Sequence, residues 1–232
     1  MLPIKGVQKL SLIDYPPYMV ATVFLANCDF RCPYCQNPDL IKNPDKLPTI
    51  TEEELIEFLK SRKKWLDGIC ITGGEPCIHK ELPELIKRIK ELGFKIKLDT
   101  NGSKPEMIKV LINEQLIDYI AMDIKAPLDN YEEVTQVKVD KEKIKESVDF
   151  IISSGIDYEF RLTCVPTLHK EEDFVKIGEW LKDCKRFFIQ QFSPKICLNK
   201  EFENIKPFTE VRLKKFKEIL ENYINKVEIR GI

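Results

Sequence analysis

The stretch NCDFRCPYCQN places Cys28, Cys32 and Cys35 within eight residues of one another. Thiolates are soft ligands that suit zinc and iron–sulfur clusters. A disulfide uses two cysteines, and a closed tetrahedral zinc site wants four ligands, so three thiols leave a position to be filled. The chain holds two histidines, His79 and His169, and neither is near the cysteines in sequence. A Cys3His zinc site stays open on spacing alone. A four-iron cluster normally takes one Cys per iron, so three cysteines would leave one iron free for a small molecule.

Other residues of chemical interest come later in the chain. Gly73-Gly74-Glu75-Pro76 combines a backbone that permits close approach with a carboxylate able to pair with an ammonium group. Alone, such a string marks no more than a strand-to-helix turn. Asp99, in LDTNG, and Asp123, in MDIKAP, carry acid groups at sites where an Asp often only caps a turn. The other five cysteines (Cys70, Cys77, Cys164, Cys184 and Cys197) have no C-x-x-C partner and are expected to be small, buried, inert side chains. Cys77 is the exception to watch, because it follows the Gly-Gly-Glu-Pro turn.

The elements that must position these residues follow a regular order. A strand is expected over residues 18–25, and the cysteine loop follows it. Thr51 and Glu54 form a capping-box pattern ahead of a helix with Leu55, Phe58 and Leu59 on one face. Strands are expected at 68–72, 94–98, 119–124, 158–165 and 187–189, with a short one at 226–229. Helices are expected at 82–92, 105–113, 141–154, 171–181 and 209–223, the first and third of these stopped by Gly93 and Gly155. Six strand–helix units in a row imply an α/β protein with parallel strands and helical crossovers. Six units are too few for an eight-fold barrel, so a partial (β/α)6 TIM-like barrel is expected, with a doubly wound sheet as the alternative. Either architecture puts ligands at the C-terminal ends of strands. The cysteine loop, Thr72 to Pro76, Asp99 to Gly102, Asp123 to Lys125 and the 165–169 stretch all fall at such ends.

Composition narrows the function classes. The chain has 232 residues, 43% hydrophobic and 32% charged, with 37 basic against 38 acidic residues. No basic block suggests a nucleic-acid surface. Apolar runs such as residues 20–26 are too short to span a bilayer. The opening MLPIKGVQKLSLIDYPP lacks the apolar core of a signal peptide. A cytoplasmic protein with no nucleic-acid or membrane partner is expected, and its cysteines are expected to be free.

The C-x3-C-x2-C spacing at the end of a first strand, with the aromatic Tyr34 before the last Cys, closely resembles the radical S-adenosylmethionine enzymes. In that family the cysteines, here Cys28, Cys32 and Cys35, hold a [4Fe-4S] cluster. Its open iron is chelated by the amino and carboxylate groups of S-adenosylmethionine. One electron from the reduced cluster breaks the sulfonium–C5′ bond, giving methionine and a 5′-deoxyadenosyl radical that abstracts hydrogen from the substrate. The resemblance implies a single domain over 1–232. It also implies that Tyr34 and the Gly73, Gly74, Glu75 and Pro76 turn belong to the cofactor site, with the turn holding the methionine amino group.

LDTNG and MDIKAP together look like stretches of activating enzymes for glycyl radical enzymes, such as pyruvate formate-lyase activase. In those, the aspartates corresponding to Asp99 and Asp123 help hold a monovalent cation near the sulfonium. Thr100 joins the implied site, and Lys125 is suited to pairing with the methionine carboxylate. His169 is a candidate cofactor contact, set against the commoner structural role of a lone histidine. IKGVQKLSLIDYPPYMVATVFL, QNPDL and FIQQFSP are similar to a subgroup labelled anaerobic ribonucleoside-triphosphate reductase activating proteins. Asn27 stands where that pattern commonly has Gly, and Gln36 where it often has His. The implied partners are an anaerobic ribonucleotide reductase, as the glycyl radical enzyme acted upon, and a flavodoxin- or ferredoxin-like electron donor. Only 37 residues separate Cys35 from Gly73, which leaves no room for a ferredoxin-like insertion. The competing readings are a radical enzyme acting on a small molecule, such as a deazaguanine precursor, and a non-catalytic zinc- or cluster-bearing protein.

Overall fold

The computed structural model describes residues 2–232. Its strands are β1 (Ile4–Ser11), β2 (Val20–Leu25), β3 (Gly68–Gly73), β4 (Lys95–Thr100), β5 (Tyr119–Asp123), β6 (Asp157–Cys164), β7 (Phe187–Gln191) and β8 (Val227–Arg230). The helices are α1 (Pro38–Lys42), α2 (Glu52–Arg62), α3 (Leu82–Glu91), α4 (Pro105–Asn113), α5 (Tyr131–Thr135), α6 (Lys141–Ser153), α7 (Glu171–Trp180) and α8 (Glu210–Glu221). The strands pair in chain order, β1 through β8. A doubly wound sheet reverses direction at a switch point. This order has no reversal, which is the barrel-type arrangement expected.

The chain forms two compact units. One comprises residues up to Asp29 together with Asp39–Ala121. In it, β2, β3 and β4 run parallel, with Val20 opposite Gly68 and Gly68 opposite Lys95. Val23, Leu25, Ile69, Ile71, Ile96 and Leu98 are fully buried, as are Leu55, Leu59, Leu85, Ile86 and Ile89 of the covering helices. The capping box of α2 forms as expected, Thr51 Oγ1 accepting the Glu54 amide at 3.1 Å and Glu54 accepting the Thr51 amide at 2.7 Å. Ile56, not Phe58, joins Leu55 and Leu59 on the buried face. Gly93, just beyond α3, has φ of 88°, the left-handed stop that its position calls for.

Strand β1 was not expected, and it runs antiparallel to β2. It needs no helical crossover, and of its eight residues only Ile4 and Ser11 are buried. It therefore carries none of the continuous apolar signal of the parallel strands.

The other unit comprises Phe30–Pro38 and Met122–Ile232. Here β6, β7 and β8 are parallel, with Phe160 opposite Phe187 and Phe187 opposite Val227. Phe174 of α7 stacks on Phe216 of α8 at 4.1 Å between centroids. The eight cysteines are free, and Cys70, Cys77, Cys164, Cys184 and Cys197 are all buried, as expected. Among the described residues, no helix is long and apolar enough to cross a membrane.

Candidate cluster and cofactor site

In the first unit, β2 ends at Leu25 and leads through Ala26 into Asn27 and the partly buried Cys28. Asn27 has φ of 67°, a left-handed conformation that Asn tolerates better than most residues. That conformation explains why a glycine or an asparagine suits the position before the first cysteine. The β3 turn packs directly on this segment. The Gly74 amide donates to Leu25 O and the Glu75 amide to Asn27 O, each at 2.8 Å. A Cβ on Gly74 would lie 1.8 Å from Asn27 O, and one on Gly73 would lie 2.3 Å from Leu25 O. The glycines are thus demanded by the chain's own backbone.

Glu75 is fully buried. Its Oε1 accepts the Cys77 amide at 2.9 Å and the Thr100 hydroxyl at 2.7 Å. Its Oε2 accepts the Asn101 amide at 2.6 Å. Burial raises this carboxyl from its usual 4.5 to about 7, against the pull of those three donors. The expectation was an acid for an ammonium group. In the structure, both oxygens instead serve the ends of β3 and β4. Pro76, also buried, starts a short 3-10 turn with Cys77.

Asn101 links this acid to the first cysteine. Its side-chain amide lies 2.9 Å from Asp29 Oδ1 and 3.8 Å from Cys28 Sγ. Lys104 pairs with Asp29 at 3.1 Å. Asp99 Oδ1 lies 3.1 Å from Lys97 Nζ, and the two side chains are 12% and 5% exposed.

In the second unit, Cys32 and Tyr34 are buried and Cys35 partly so. The loop is held by backbone bonds from Cys35 to Cys32 O, from Arg31 to Thr135 O and from Asn199 to Pro33 O. Gln36 reaches Ser193 O at 3.3 Å. Burial pushes the Cys32 thiol up to about 11, opposed by the Lys125 ammonium, and it raises Cys35 as well.

Asp123, at the end of β5, receives Arg161 Nε at 2.7 Å on Oδ1 and Arg161 Nη2 at 3.5 Å on Oδ2. Lys125 Nζ lies 3.2 Å from Oδ2. Burial opposes ionisation of Asp123, but the Arg161 guanidinium and then the Lys125 ammonium outweigh it and hold the acid well below the usual carboxylate range. Lys125 in turn is held well above its ordinary value by Asp123, despite burial. The Lys125 backbone is pinned on both sides. Its amide donates to the Tyr131 hydroxyl at 3.3 Å, and its carbonyl faces His169 Nε2 at 2.8 Å.

His169 is 3% exposed. Its Nδ1 accepts the Val165 amide at 3.0 Å, so Nε2 carries the proton donated to Lys125 O. Burial lowers its pKa, keeping the ring neutral. Both ring nitrogens are engaged within the unit, so His169 positions Lys125 where the sequence had offered it as a cofactor contact.

The expected residues therefore gather in two sets. Cys28 sits with the Gly73 to Pro76 turn, Thr100 and Asn101. Cys32, Tyr34 and Cys35 share a unit with Asp123 and Lys125. Sequence reasoning missed Arg161, Asn101, Asp29 and Lys97. Arg161 had a signal: in DYEFRLTC, Glu159, Arg161 and Thr163 alternate with apolar residues, so one face of a buried strand is polar.

The radical SAM superfamily model matches residues 22–181. The chain belongs to the radical SAM superfamily. A Methanocaldococcus jannaschii protein that carries the name of a glycyl-radical enzyme activating enzyme is 38% identical over 99% of this chain and 96% of its own length. The pyruvate formate-lyase-activating enzyme of Clostridium pasteurianum is 28% identical over 78% of this chain and 77% of its own. Among solved structures, Streptococcus suis SuiB superposes with a TM-score of 0.67 at 16% identity over 89% of this chain. The chain spans about half of SuiB, 47% of it, and that likeness shows the fold.

The donor set fits the family's cluster. Three thiols, Cys28, Cys32 and Cys35, lie within eight residues on one loop, and thiolates are the usual ligands of such a cluster. Among the described residues, no three His, Cys, Asp or Glu side chains gather around a point where a single ion could sit. A cluster differs from a single ion in this respect, because each cysteine binds a separate iron. The family's monovalent cation fits less well, since Asp99 and Asp123 are each paired with basic side chains.

Proposed function

We propose that this chain is an activating enzyme that abstracts hydrogen from a backbone glycine of a partner protein. The observation carrying this reading is the end-to-end similarity to the Methanocaldococcus jannaschii protein named for that activity. The short span between Cys35 and Gly73 supports it, because it holds no added cluster domain. An anaerobic ribonucleotide reductase is the proposed partner, on the resemblance of the IKGVQKLSLIDYPPYMVATVFL, QNPDL and FIQQFSP stretches. A flavodoxin- or ferredoxin-like protein is the proposed electron donor. The cytoplasm is the proposed compartment, consistent with eight free cysteines.

Cys28, Cys32 and Cys35 would hold the cluster, each through one iron. When bound, the reduced cluster and S-adenosylmethionine supply a one-electron cleavage of a sulfonium bond and with it a hydrogen-abstracting group. The chain's own residues prepare the setting. Lys125 presents a charged ammonium paired with Asp123, on a backbone fixed by Tyr131 and His169, and such a group is suited to a carboxylate. Glu75 fixes the ends of β3 and β4 through three hydrogen bonds. Tyr34 and Cys32 are buried, and excluding water protects a reactive radical from side reactions. A partner's extended loop suits this site, and glycine in that loop lets its backbone approach closely.

The reading is tested by isotope transfer. A partner expressed with α-deuterated glycine is incubated anaerobically with this protein, S-adenosylmethionine and a reductant. Mass spectrometry should find deuterium in the released 5′-deoxyadenosine. Unlabelled 5′-deoxyadenosine with every glycyl radical enzyme tried, together with turnover of a small purine or pterin precursor, would overturn the reading.

A further inference from the structure

Asp123, at the end of β5, is flanked by two basic side chains. Arg161 takes both of its oxygens, at 2.7 and 3.5 Å, and Lys125 shares one of them at 3.2 Å. The side chains of Arg161, Lys125 and Asp123 are 13%, 16% and 23% exposed, so solvent screens them little. Their charges sum to a net positive, one carboxylate against a guanidinium and an ammonium. A metal cation beside this carboxylate would meet two positive groups already in place, and one carboxylate offsets only one of them. Each Asp123 oxygen already faces a basic group, so a cation there would have to share it with Arg161 or Lys125.

The cluster is held rigidly. The Ile124 amide donates to Arg161 O at 2.8 Å, which fixes the end of β5 against β6. His169 and Tyr131 fix the Lys125 backbone from opposite sides. Lys125 acts electrostatically on both Cys32 and Tyr34, so this positive centre belongs to the cysteine loop's surroundings.

We propose that Arg161, with Lys125, replaces the monovalent metal cation in this chain, so that S-adenosylmethionine binding is independent of alkali metal. Arg161 neutralises Asp123, and this leaves the Lys125 charge for the cofactor carboxylate. Arg161 is a positioning residue in this scheme, because it acts through Asp123 and Lys125. The inference rests on the family assignment and is independent of which partner is activated.

Two measurements test it. The first is calorimetric affinity for S-adenosylmethionine of the cluster-loaded protein in potassium, sodium and tetramethylammonium chloride. The wild-type dissociation constant should vary by less than about twofold among the salts. Arg161→Met should bind about tenfold more weakly in tetramethylammonium than in potassium, because potassium can fill the vacated place. Arg161→Lys should restore cation independence. The second measurement is anomalous scattering from crystals soaked in rubidium, with no peak expected at Asp123 in the wild type and one expected in Arg161→Met. A rubidium peak at wild-type Asp123, or a wild-type affinity that rises about tenfold in potassium, overturns the proposal. So does an Arg161→Met protein weakened equally in every salt, which is what a purely structural role gives. The rubidium arm needs no bound cofactor. It decides the proposal even if S-adenosylmethionine failed to bind, a result that would count against the family reading instead.

Discussion

Glu75 Oε2 accepts the backbone amide of Asn101 at 2.6 Å, and this bond ties the end of β3 to the end of β4. Asn101 then extends its side chain to Asp29 and towards the Cys28 sulfur. A buried acid thus reaches Cys28, the first of the three proposed cluster ligands, through one intermediary. Hydrogen bonds near such sulfurs tune a cluster's potential, so with a cluster on Cys28 the Gly-Gly-Glu-Pro turn would act on it through Asn101 as well as through its own backbone.

Replacing Glu75 by Ala removes the acceptor from three buried donors, those of Cys77, Thr100 and Asn101. An unsatisfied buried donor costs about 1–3 kcal/mol. Glu75→Ala should therefore lose at least about 3 kcal/mol in chemical denaturation, and its iron content should fall as Asn101 is released. A loss below about 1 kcal/mol would show that the three donors find other partners.

Glu75 also predicts a pH dependence. Its folded pKa of about 7 lies above its usual 4.5, so the folded state holds the proton more tightly than the unfolded one. The associated stability is present in full below about 4.5 and is lost as pH rises through about 7. The loss is on the order of 3 kcal/mol at most. Melting curves collected across that window should slope downward for the wild type and more gently for Glu75→Gln. Parallel slopes for the two proteins would contradict the assignment.

Two glycines offer an internal contrast. A Cβ on Gly74 would strike Asn27 O at 1.8 Å, whereas one on Gly6 would meet nothing nearer than the Phe24 side chain at 3.7 Å. Gly74→Ala should displace Asn27, the residue before Cys28, and lower both stability and iron loading. Gly6→Ala should change each by little. Equal effects would mean that the close approach seen at Gly74 is readily relaxed.

The cysteines divide by the same logic. Cys28, Cys32 and Cys35 changed singly to Ala should each abolish the cluster's visible absorbance. Cys164→Ala should keep it, because Cys164 is fully buried at the end of β6. Its cost should be in stability alone. Absorbance lost with Cys164→Ala but kept with Cys32→Ala would reverse the assignment.

Much of this architecture was legible in the sequence. Parallel strands buried on both faces read as short apolar runs, so β2 through β7 stood out, and Gly93 and Gly155 marked helix ends. Strand β1 did not, because an antiparallel edge with two buried residues carries no apolar run. At the site, the motif residues fell where strand ends put them, but their partners did not show. Arg161 lies 38 residues beyond Asp123, and Asn101 lies 26 beyond Glu75. Such pairings are made by neighbouring strands, and no local pattern encodes them. His169 was visible as a residue, while its use of both ring nitrogens depends on Val165 and Lys125 arriving together.

The central claim is that this protein places a radical on a partner's glycine. The most direct measurement is electron paramagnetic resonance after anaerobic incubation with an anaerobic ribonucleotide reductase, S-adenosylmethionine and a reductant. The account predicts a glycyl doublet that requires this protein, is lost with Cys32→Ala, and is absent when the partner's radical-site glycine is changed to Ala. A cluster-loaded protein that cleaves S-adenosylmethionine yet leaves the reductase and every other glycyl radical enzyme of its host without that doublet would contradict it.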